Sequence, residues 1–331
     1  AEERGVGQWI RQPDDLRRLL GVGPEKVAGG GQVWCVWGPH GSPGRTTIAL
    51  GLAAELAHRG HRVVLVDADP QGGTIAPSLG LIDRTPGFLA SMRRFRRGEL
   101  TAESLRTLLV SYRSGATEFQ VLSGVARKYS SEEAPTDGIQ ALFALCRDLF
   151  DLTLVDVGSE SPPAQEAHTE SGARATADVL EAANQIIALC RADPSGVSRF
   201  ARAYPELAGQ VSSPPRVWLN GVDTSRRALG EDATIREVLW RFAGIDHATA
   251  LPWDPATCRK AAINAVTVRD MSSQSPLVVA LAKQVDELTG TGGVTSQTRT
   301  SATSTKDPPR RQRVVSWQVL RQKWLRVTAL R

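Results

Sequence analysis

The sequence has no long hydrophobic run, since no uninterrupted apolar stretch approaches the roughly 20 residues that a membrane-spanning helix requires. It also lacks the CxxC and Cys/His spacings that indicate a structural metal site. Its four cysteines lie far apart, and three of them stand in apolar runs. They are Cys35, Cys146, Cys190 and Cys258. We therefore expect buried free thiols and a reducing, cytoplasmic compartment.

The length of the chain allows one large α/β domain with tails or two small domains, and 41% apolar residues suffice for a core. No secretory signal is recognisable, and the start at Ala1 rather than Met leaves open that the chain is a piece of a longer protein. The net charge of +5 is uneven. From Lys306 to Arg331, eight basic residues and one acid give +7, so subtraction from +5 leaves −2 for the rest.

The segment from Val33 to Asp69 has the pattern of a phosphate-binding βαβ unit. Its apolar start, VWCVW, predicts a buried strand. The glycine- and proline-rich turn that follows can bring backbone N–H groups close to an anion. Thr46 and Thr47 open a predicted helix that runs to about Arg59. Free N–H groups at the start of such a helix form a ready phosphate site.

The turn deviates from the phosphate-loop template G-x-x-x-x-G-K-[ST]. Gly44 and Thr46 match this template, whereas Pro39 replaces the first glycine and Arg45 replaces the lysine. On the turn alone, a nucleotide site and an ordinary loop before a helix are equally supported. The next predicted strand therefore has to decide between them.

That strand ends in two carboxylates, Asp67 and Asp69, followed by Pro-Gln-Gly-Gly, which favours the nucleotide site. The pair GPHGSPGRTT and VVLVDADPQGG resembles the deviant P-loop and switch I of the MinD/ParA ATPases, whose usual forms are KGGxGKTT and DxD or DxDPQ. It is especially similar to the actinobacterial MinD-like group related to the CpaE pilus-assembly proteins, in which Pro and Arg occur in the loop. The resemblance covers roughly Val33 to Leu288.

The resemblance implies a doubly wound, mostly parallel α/β sheet of the P-loop NTPase type, in a single domain with flexible tails. Predicted strands alternate with helices in agreement with this, which indicates parallel strands joined by right-handed crossovers. The strands begin near Val33, Arg62, Phe119, Leu152, Gln185, Arg216 and Ala248. Ligand-binding loops then lie at their carboxyl ends.

Four segments follow from this organisation. We expect residues 33–288 to form the ATPase domain and residues 1–32 to be a linker remnant with a short helix. A helix packed on the domain is the alternative for this first segment. Residues 289–309 are rich in Thr, Ser and Gly and predict a flexible linker, followed by a basic amphipathic segment over residues 310–331.

A third acid stands in LTLVDVG, an apolar strand of Walker B form that ends in Asp156. The resemblance implies that Thr46 gives its hydroxyl to Mg²⁺, with Asp67 and Asp156 in the outer shell of the ion. Gly158 would let a backbone N–H approach the γ-phosphate. An aspartate that caps the next turn is the alternative interpretation of Asp156.

The resemblance also implies catalytic roles in ATP hydrolysis. Asp69 would orient the attacking water, and Arg45 would supply part of the charge of the missing lysine, although a guanidinium fork is not a point charge. The family's signature lysine, which reaches the partner's phosphates across a dimer, falls at His40, and a neutral imidazole supplies little of that charge at pH 7. We therefore expect slow hydrolysis. The residues expected around the ATP phosphates are Gly41, Ser42, Pro43, Gly44, Arg45, Thr46 and Thr47.

The base of the nucleotide is expected near two later segments. Asn220 ends the predicted strand RVWLN at the position where the family has an asparagine whose amide can pair with the adenine edge. The segment ATALPWD resembles the IPxD loop that lines the base, with Pro252 and Trp253 as an apolar wall. The alternatives are a turn residue for Asn220 and a core aromatic for Trp253.

Two basic segments bear on larger partners. The predicted helix from Phe88 to Arg97 carries four arginines that could bind DNA phosphates nonspecifically, although a solvated helix face is the more common role of such a run. In the carboxyl-terminal segment, Trp317 and Trp324 share an apolar stripe that suits an anionic membrane surface. MinD proteins carry a membrane-targeting helix at this position, which implies a peripheral location on the inner face of the plasma membrane. A partner-binding helix and a disordered tail are the alternatives.

Two functions remain open from the sequence. The resemblance implies a homodimeric ATPase that acts as a spatial switch and recruits a protein partner of a pilus, division or partitioning system. The alternative is a catalytically silent scaffold of the same fold that positions partners without ATP turnover.

Overall fold

The computed structural model describes residues 30–41, 43–81, 86–159, 172–212, 214–223 and 231–290. For residues 231 and 232 it describes the backbone alone. Several predictions lie outside these residues: most of the linker remnant, the phosphate contact of Ser42, most of the flexible linker and the whole basic amphipathic segment.

Within the described residues, eight strands form one sheet. They are β1 (Gln32–Trp37), β2 (Val63–Ala68), β3 (Val110–Ser114), β4 (Thr117–Leu122), β5 (Leu152–Val157), β6 (Gln185–Arg191), β7 (Arg216–Val222) and β8 (Thr249–Pro252). Their order across the sheet is β3-β4-β2-β5-β1-β6-β7-β8. All neighbours are parallel except β3 and β4, so the predicted doubly wound, mostly parallel sheet is confirmed.

Helices connect the strands. They are α1 (Arg45–His58), α2 (Ile75–Ser78), α3 (Gly87–Arg96), α4 (Ala102–Arg106), α5 (Thr136–Leu149), α6 (Ala173–Glu181), α7 (Pro194–Gln210), α8 (Glu231–Ala243), α9 (Pro255–Ile263), α10 (Val268–Met271) and α11 (Pro276–Thr289). Local caps set several starts: the side chain of Asp193 accepts from the N–H of Gly196 at 2.7 Å, next to a proline in the first turn of α7. None of the helices in the described ranges has the length and apolarity needed to cross a bilayer.

Both faces of the sheet are covered, which explains the near-continuous apolar strands. In β1, Val33, Cys35 and Trp37 pack into the core on one face, whereas Trp34 and Val36 pack into the core on the other. All four cysteines are free, as predicted, but Cys258 is only half-buried. The tryptophans, valines and cysteine of β1 therefore fix the central strand from both sides.

Two boundaries differ from prediction by one residue. Gln32 was assigned to the linker, yet it begins β1 because it pairs with Leu152 of the neighbouring strand. Thr289 was assigned to the flexible linker, yet it is the last residue of α11. Gly290, which follows it, caps the helix in the left-handed conformation with φ of 70°.

The winding of the sheet reverses at β1. The chain leaves β1 towards β2 on one side, whereas β6, β7 and β8 lie on the other side. In open α/β sheets, ligands bind in the crevice beyond the carboxyl ends of the strands at such a reversal. The turn after Trp37 therefore lies where the fold places a ligand.

Candidate functional site

The turn between β1 and α1, residues 38–44, has a backbone that requires glycine. Gly41 has a φ of 107° and Gly44 a φ of 94°, both in the left-handed region. Pro43 is buried, and its ring fills the space beside Gly38, where an added methyl would lie 2.7 Å from Cγ of Pro43. No side chain caps α1 and no acid stands in its first turn, so its leading N–H groups remain able to bind an anion.

Arg45, the first residue of α1, bridges the turn to the end of β2. Its Nη1 donates to the carbonyl of Gly38 at 2.7 Å, and its Nη2 donates to Oδ2 of Asp69 at 3.1 Å. The other oxygen of Asp69 accepts from the N–H of Gln71 at 2.9 Å. The two residues predicted to be catalytic are therefore brought together, as an ion pair with each other.

The three residues predicted to hold Mg²⁺ also meet. The hydroxyl of Thr46 donates to Oδ2 of Asp156 at 2.5 Å and lies 2.9 Å from the hydroxyl of Thr74. Asp67 and Asp156 are register partners in the neighbouring strands β2 and β5, so their side chains share one face of the sheet. Asp67 accepts from the N–H of Ile75 at 3.0 Å, which ties it to the start of α2.

Burial makes these two acids hard to ionise. It raises the pKa of Asp67 to about 6 and the pKa of Asp156 to about 7, with repulsion from Asp67 as the second cause for Asp156. The Oδ1 atom of Asp156 is buried and has no hydrogen-bond partner among the described residues. A cation at this point would satisfy that oxygen and favour the ionised form of both acids.

The donors fit Mg²⁺, which prefers oxygen ligands and is usually bound through one or two carboxylates, several waters and substrate phosphates. The described residues contain no group of three or more His, Cys, Asp or Glu side chains that could hold a metal ion. The hydroxyl of Thr46 and the carboxylates of Asp67 and Asp156 are oxygen donors of the kind that hold Mg²⁺ together with waters and a phosphate ligand.

Glycines surround the carboxylates at close range. A methyl added to Gly73 would lie 2.4 Å from Oδ2 of Asp67, and one added to Gly124 would lie 2.8 Å from Cγ of Asp67. Gly158 lies beside Asp69, because a methyl there would be 3.2 Å from Oδ1 of Asp69. Sequence analysis assigned a role to Gly158 and used Gly73 only as part of the Pro-Gln-Gly-Gly motif, whereas it did not single out Gly124, which follows the carboxyl end of β4.

Asn220 and Trp253 belong to the part of the sheet that lies on the other side of β1 from the carboxylates of β2 and β5. The amide nitrogen of Asn220 donates to the carbonyl of Pro43 at 2.7 Å and occupies the space where a side chain on Gly44 would lie. Trp253 covers Gly221 and is 57% exposed, so it is not the core aromatic of the alternative interpretation. The backbone N–H of Trp253 donates to the carbonyl of Val222, and Trp253 directly follows Pro252 at the end of β8.

Sequence reasoning missed two further neighbours of the turn. Ser159 lies with its hydroxyl 2.8 Å from Nδ1 of His40. Arg199, in α7, lies against Gly41, since a methyl on Gly41 would be 1.9 Å from its Nη1. Thr47 follows Thr46 in the first turn of α1. No motif marks Arg199, because it reaches the turn from a helix that follows a different strand.

Two arginines of the basic helix α3 form hydrogen bonds within the fold. Arg94 donates to the hydroxyl of Thr107 at 2.9 Å and to the carbonyl of Ser104, and Arg96 donates to the carbonyl of Glu132. Arg94 also lines a cleft of about 430 Å³ with Arg93 of the same helix and with Arg97, the residue that follows it. Contact with DNA at this helix stays a prediction.

Comparisons with known proteins agree with this architecture. The solved ParA family ATPase from Chlorobium tepidum TLS matches with a TM-score of 0.63 at 16% identity, over 79% of this chain and 100% of that chain. MinD complexed with Mg-ADP from Pyrococcus horikoshii OT3 gives 0.55 at 18% identity, over 78% and 98%. The MinC:MinD cell division protein complex from Aquifex aeolicus gives 0.58 at 15% identity, over 85% and 98%.

At these identities the structural likeness shows the fold. A sequence comparison with curated proteins finds no match. The profile of one protein family, described as the CobQ/CobB/MinD/ParA nucleotide binding domain, matches residues 34–268, which is more than half of the chain. The chain therefore belongs to the CobQ/CobB/MinD/ParA nucleotide-binding domain family.

Proposed function

We propose that this protein binds ATP with Mg²⁺ at the β1–α1 turn and hydrolyses it slowly, as a spatial switch that positions pilus, septum or chromosome machinery. The observation that carries the proposal is the contact between Thr46 and Asp156, beside a buried carboxylate oxygen that has no partner among the described residues. Asp156 is a buried acid that contacts the start of an uncapped helix. A metal ion with a phosphate ligand would provide the interaction that its second oxygen lacks.

The phosphates would lie on the residues from Gly41 to Thr47, where left-handed glycines expose backbone N–H groups. Thr46 would contribute a hydroxyl to the metal, and Asp67 and Asp156 would hold its water ligands. Mg²⁺, when bound, neutralises charge on the phosphate oxygens. Gly158 would keep the space beside Asp69 free of a side chain, so that a backbone N–H can approach the γ-phosphate.

Hydrolysis would use Asp69 to orient the attacking water and Arg45 to neutralise phosphate charge. Both groups are engaged with each other, at 3.1 Å. Arg45 would therefore have to exchange the carboxylate of Asp69 for phosphate oxygens before Asp69 can hold a water. This exchange is a physical reason for slow turnover.

The base would lie between Asn220 and the Pro252–Trp253 wall. The exposed ring of Trp253 offers an apolar surface, and Asn220 offers an amide that can both donate and accept. The amide nitrogen now donates to Pro43, so pairing with adenine would require it to release that carbonyl. Nucleotide binding would thereby alter the turn itself.

The switch role rests on family membership. A solved relative is a MinC:MinD complex, so a protein partner and a homodimer are part of the proposal. Pro and Arg in the turn support the CpaE-related subgroup. We also propose residues 32–289 as the ATPase domain, with residues 1–31 as a linker remnant, 290–309 as a flexible linker and 310–331 as a membrane-binding segment. In this proposal the protein is cytoplasmic and peripheral on the inner face of the membrane.

The test is calorimetry with ATP and Mg²⁺, followed by an assay of phosphate release. The proposal expects binding that is lost when Mg²⁺ is chelated, and turnover that Asp69→Ala abolishes while binding persists. The second candidate, a silent scaffold, is favoured by the Arg45–Asp69 ion pair, which leaves neither group free. Absence of ATP binding by the full chain would support the scaffold and overturn the ATPase.

A further inference from the structure

Arg199 is held at the β1–α1 turn by the start of α7. β6 lies beside β1 in the sheet, and α7 begins three residues after β6 ends. The cap from Asp193 and the close packing of Gly196 fix this start, because a methyl on Gly196 would lie 2.5 Å from the carbonyl oxygen of Arg191. The guanidinium of Arg199, one turn further on, then lies against Gly41.

Arg199 differs from the other basic groups of the turn. Arg45 is tied to Asp69 and to a backbone carbonyl, and His40 lies against the hydroxyl of Ser159. No described residue forms a hydrogen bond or an ion pair with Arg199, and its side chain is exposed. It is therefore a cation at the turn whose donors have no partner among the described residues.

The local charge shows why such a cation matters. Three carboxylates, Asp67, Asp69 and Asp156, stand at the site against one paired guanidinium, that of Arg45. A nucleoside triphosphate adds several negative charges, only part of which one Mg²⁺ can neutralise. Arg is also the side chain best suited to phosphate oxygens, because its planar fork donates two parallel hydrogen bonds.

We propose that Arg199 binds, within the same chain, the phosphates of a nucleotide held by the β1–α1 turn. This deepens the proposed function and rests on it. The contribution of Arg199 grows with the number of phosphates.

The experiment compares Arg199→Ala, Arg199→Lys and Arg202→Ala with the wild-type chain. Arg202 is a matched control, since it is an exposed arginine of the same helix whose guanidinium donates to Ser198, one turn earlier in α7. Dissociation constants for ATP, ADP and AMP are measured by calorimetry with Mg²⁺ at low and high salt. Thermal melting confirms that each variant is folded.

The expected result is that Arg199→Ala weakens ATP binding about tenfold, ADP binding less and AMP binding hardly at all, with a smaller salt dependence than wild type. Arg199→Lys recovers part of the loss, and Arg202→Ala stays close to wild type. Equal affinities of Arg199→Ala and Arg202→Ala for ATP would overturn the inference about Arg199 and leave the proposed function standing. If the wild-type chain binds none of the three nucleotides, the proposed function and this inference both fail.

Discussion

The Nη2 atom of Arg45 lies 3.1 Å from Oδ2 of Asp69, and the two side chains are only 17% and 15% exposed. An ion pair at this depth is worth more than a surface pair, but removal of one partner leaves the other poorly solvated. The ion pair therefore holds the turn and the end of β2 together, at the proposed phosphate site.

Substitution of Arg45 should separate its role in stability from its proposed role in nucleotide binding. We expect Arg45→Ala to lower the free energy of unfolding by about 1–3 kcal/mol, because Asp69 loses its partner, and to weaken MgATP binding at least about tenfold. Arg45→Lys should retain most of the affinity, since lysine is the usual residue of the template. Urea denaturation and calorimetry measure the two effects.

The control for this prediction is Arg113→Ala, which breaks the exposed pair with Glu118. It should change the free energy of unfolding by about 0–1 kcal/mol and leave binding unchanged. If Arg45→Ala binds MgATP as wild type does, the placement of phosphate at this turn is wrong.

A second prediction concerns the backbone of the turn. Gly44→Ala should destabilise the fold by about 2–3 kcal/mol, because alanine is strained at a φ of 94°. Its methyl would also lie 2.3 Å from the amide nitrogen of Asn220 and would displace that side chain. Gly60→Ala is the matched control: its φ is 85°, but no atom lies within 4 Å of the added methyl. It should lose only about 1–2 kcal/mol.

The difference between the two alanine variants isolates the clash with Asn220. In the background of Asn220→Ala, the excess loss at Gly44 should shrink, which a double-mutant cycle measures as a coupling energy. Equal losses at both glycines in the wild-type background would show that Asn220 is not held at the turn.

The central part of the fold could be predicted from the sequence because its strands are covered on both faces. VWCVW is a continuous apolar run and LTLVDV is a mostly apolar one, and a strand can be predicted from such runs without knowledge of the neighbouring strands. β3 was missed because only Tyr112 of its five residues is buried, so its pattern is weak. Its position is set by pairing with β4, where Tyr112 meets Phe119 with ring centroids 4.9 Å apart.

The site could be predicted only as far as strand ends determine it. Asp67, Asp156 and Asn220 each lie within two residues of the carboxyl end of a strand, so a parallel sheet brings them to one edge. The Arg45–Asp69 ion pair depends on the direction of a long side chain, which sequence spacing does not encode. Arg199 stands mid-helix, where an exposed arginine has no distinguishing pattern.

The third prediction is a pH dependence of stability. Folding raises the pKa of Asp67 to about 6 and of Asp156 to about 7, from an ordinary value near 4. Between about pH 4 and pH 7 the folded state therefore binds more protons than the unfolded state, and the free energy of unfolding falls as pH rises through this range. Denaturation of the nucleotide-free chain at pH 5 and pH 8 measures this effect.

Asp156→Asn should flatten this dependence, because it removes one acid and relieves the repulsion on Asp67. The exposed Asp246 supplies the control, since Asp246→Asn should keep the wild-type slope. A slope at Asp156→Asn as steep as in wild type would mean that other groups control the pH dependence.

The fourth prediction concerns a buried acid outside the site. Glu55 of α1 is 1% exposed and pairs with Arg59 at 2.6 Å and with Arg269 of α10. Glu55→Ala should cost about 3–5 kcal/mol of stability, since it leaves two guanidinium groups without their shared carboxylate. Lys283→Ala, which removes an exposed pair with Glu287, should cost under about 1 kcal/mol. Similar losses in urea denaturation would contradict a structural role for Glu55.

The last prediction tests membrane binding by residues 310–331. The full chain should co-sediment with vesicles that contain anionic lipid and not with neutral vesicles, because basic residues near an anionic surface contribute on the order of 1 kcal/mol each. A chain truncated after residue 290 should remain in the supernatant. The double variant Trp317→Ala and Trp324→Ala keeps every charge, so loss of its binding would show that aromatic burial is required as well.

Electrostatic attraction alone gives a different pattern. In that case the tryptophan variant would still bind at low salt, and added salt would release it together with the wild-type chain. Calorimetry with MgATP on the truncated chain supplies the control, since its nucleotide affinity should equal that of the full chain if the tail serves location only. Equal sedimentation of the full and truncated chains with anionic vesicles would exclude the tail as the membrane anchor.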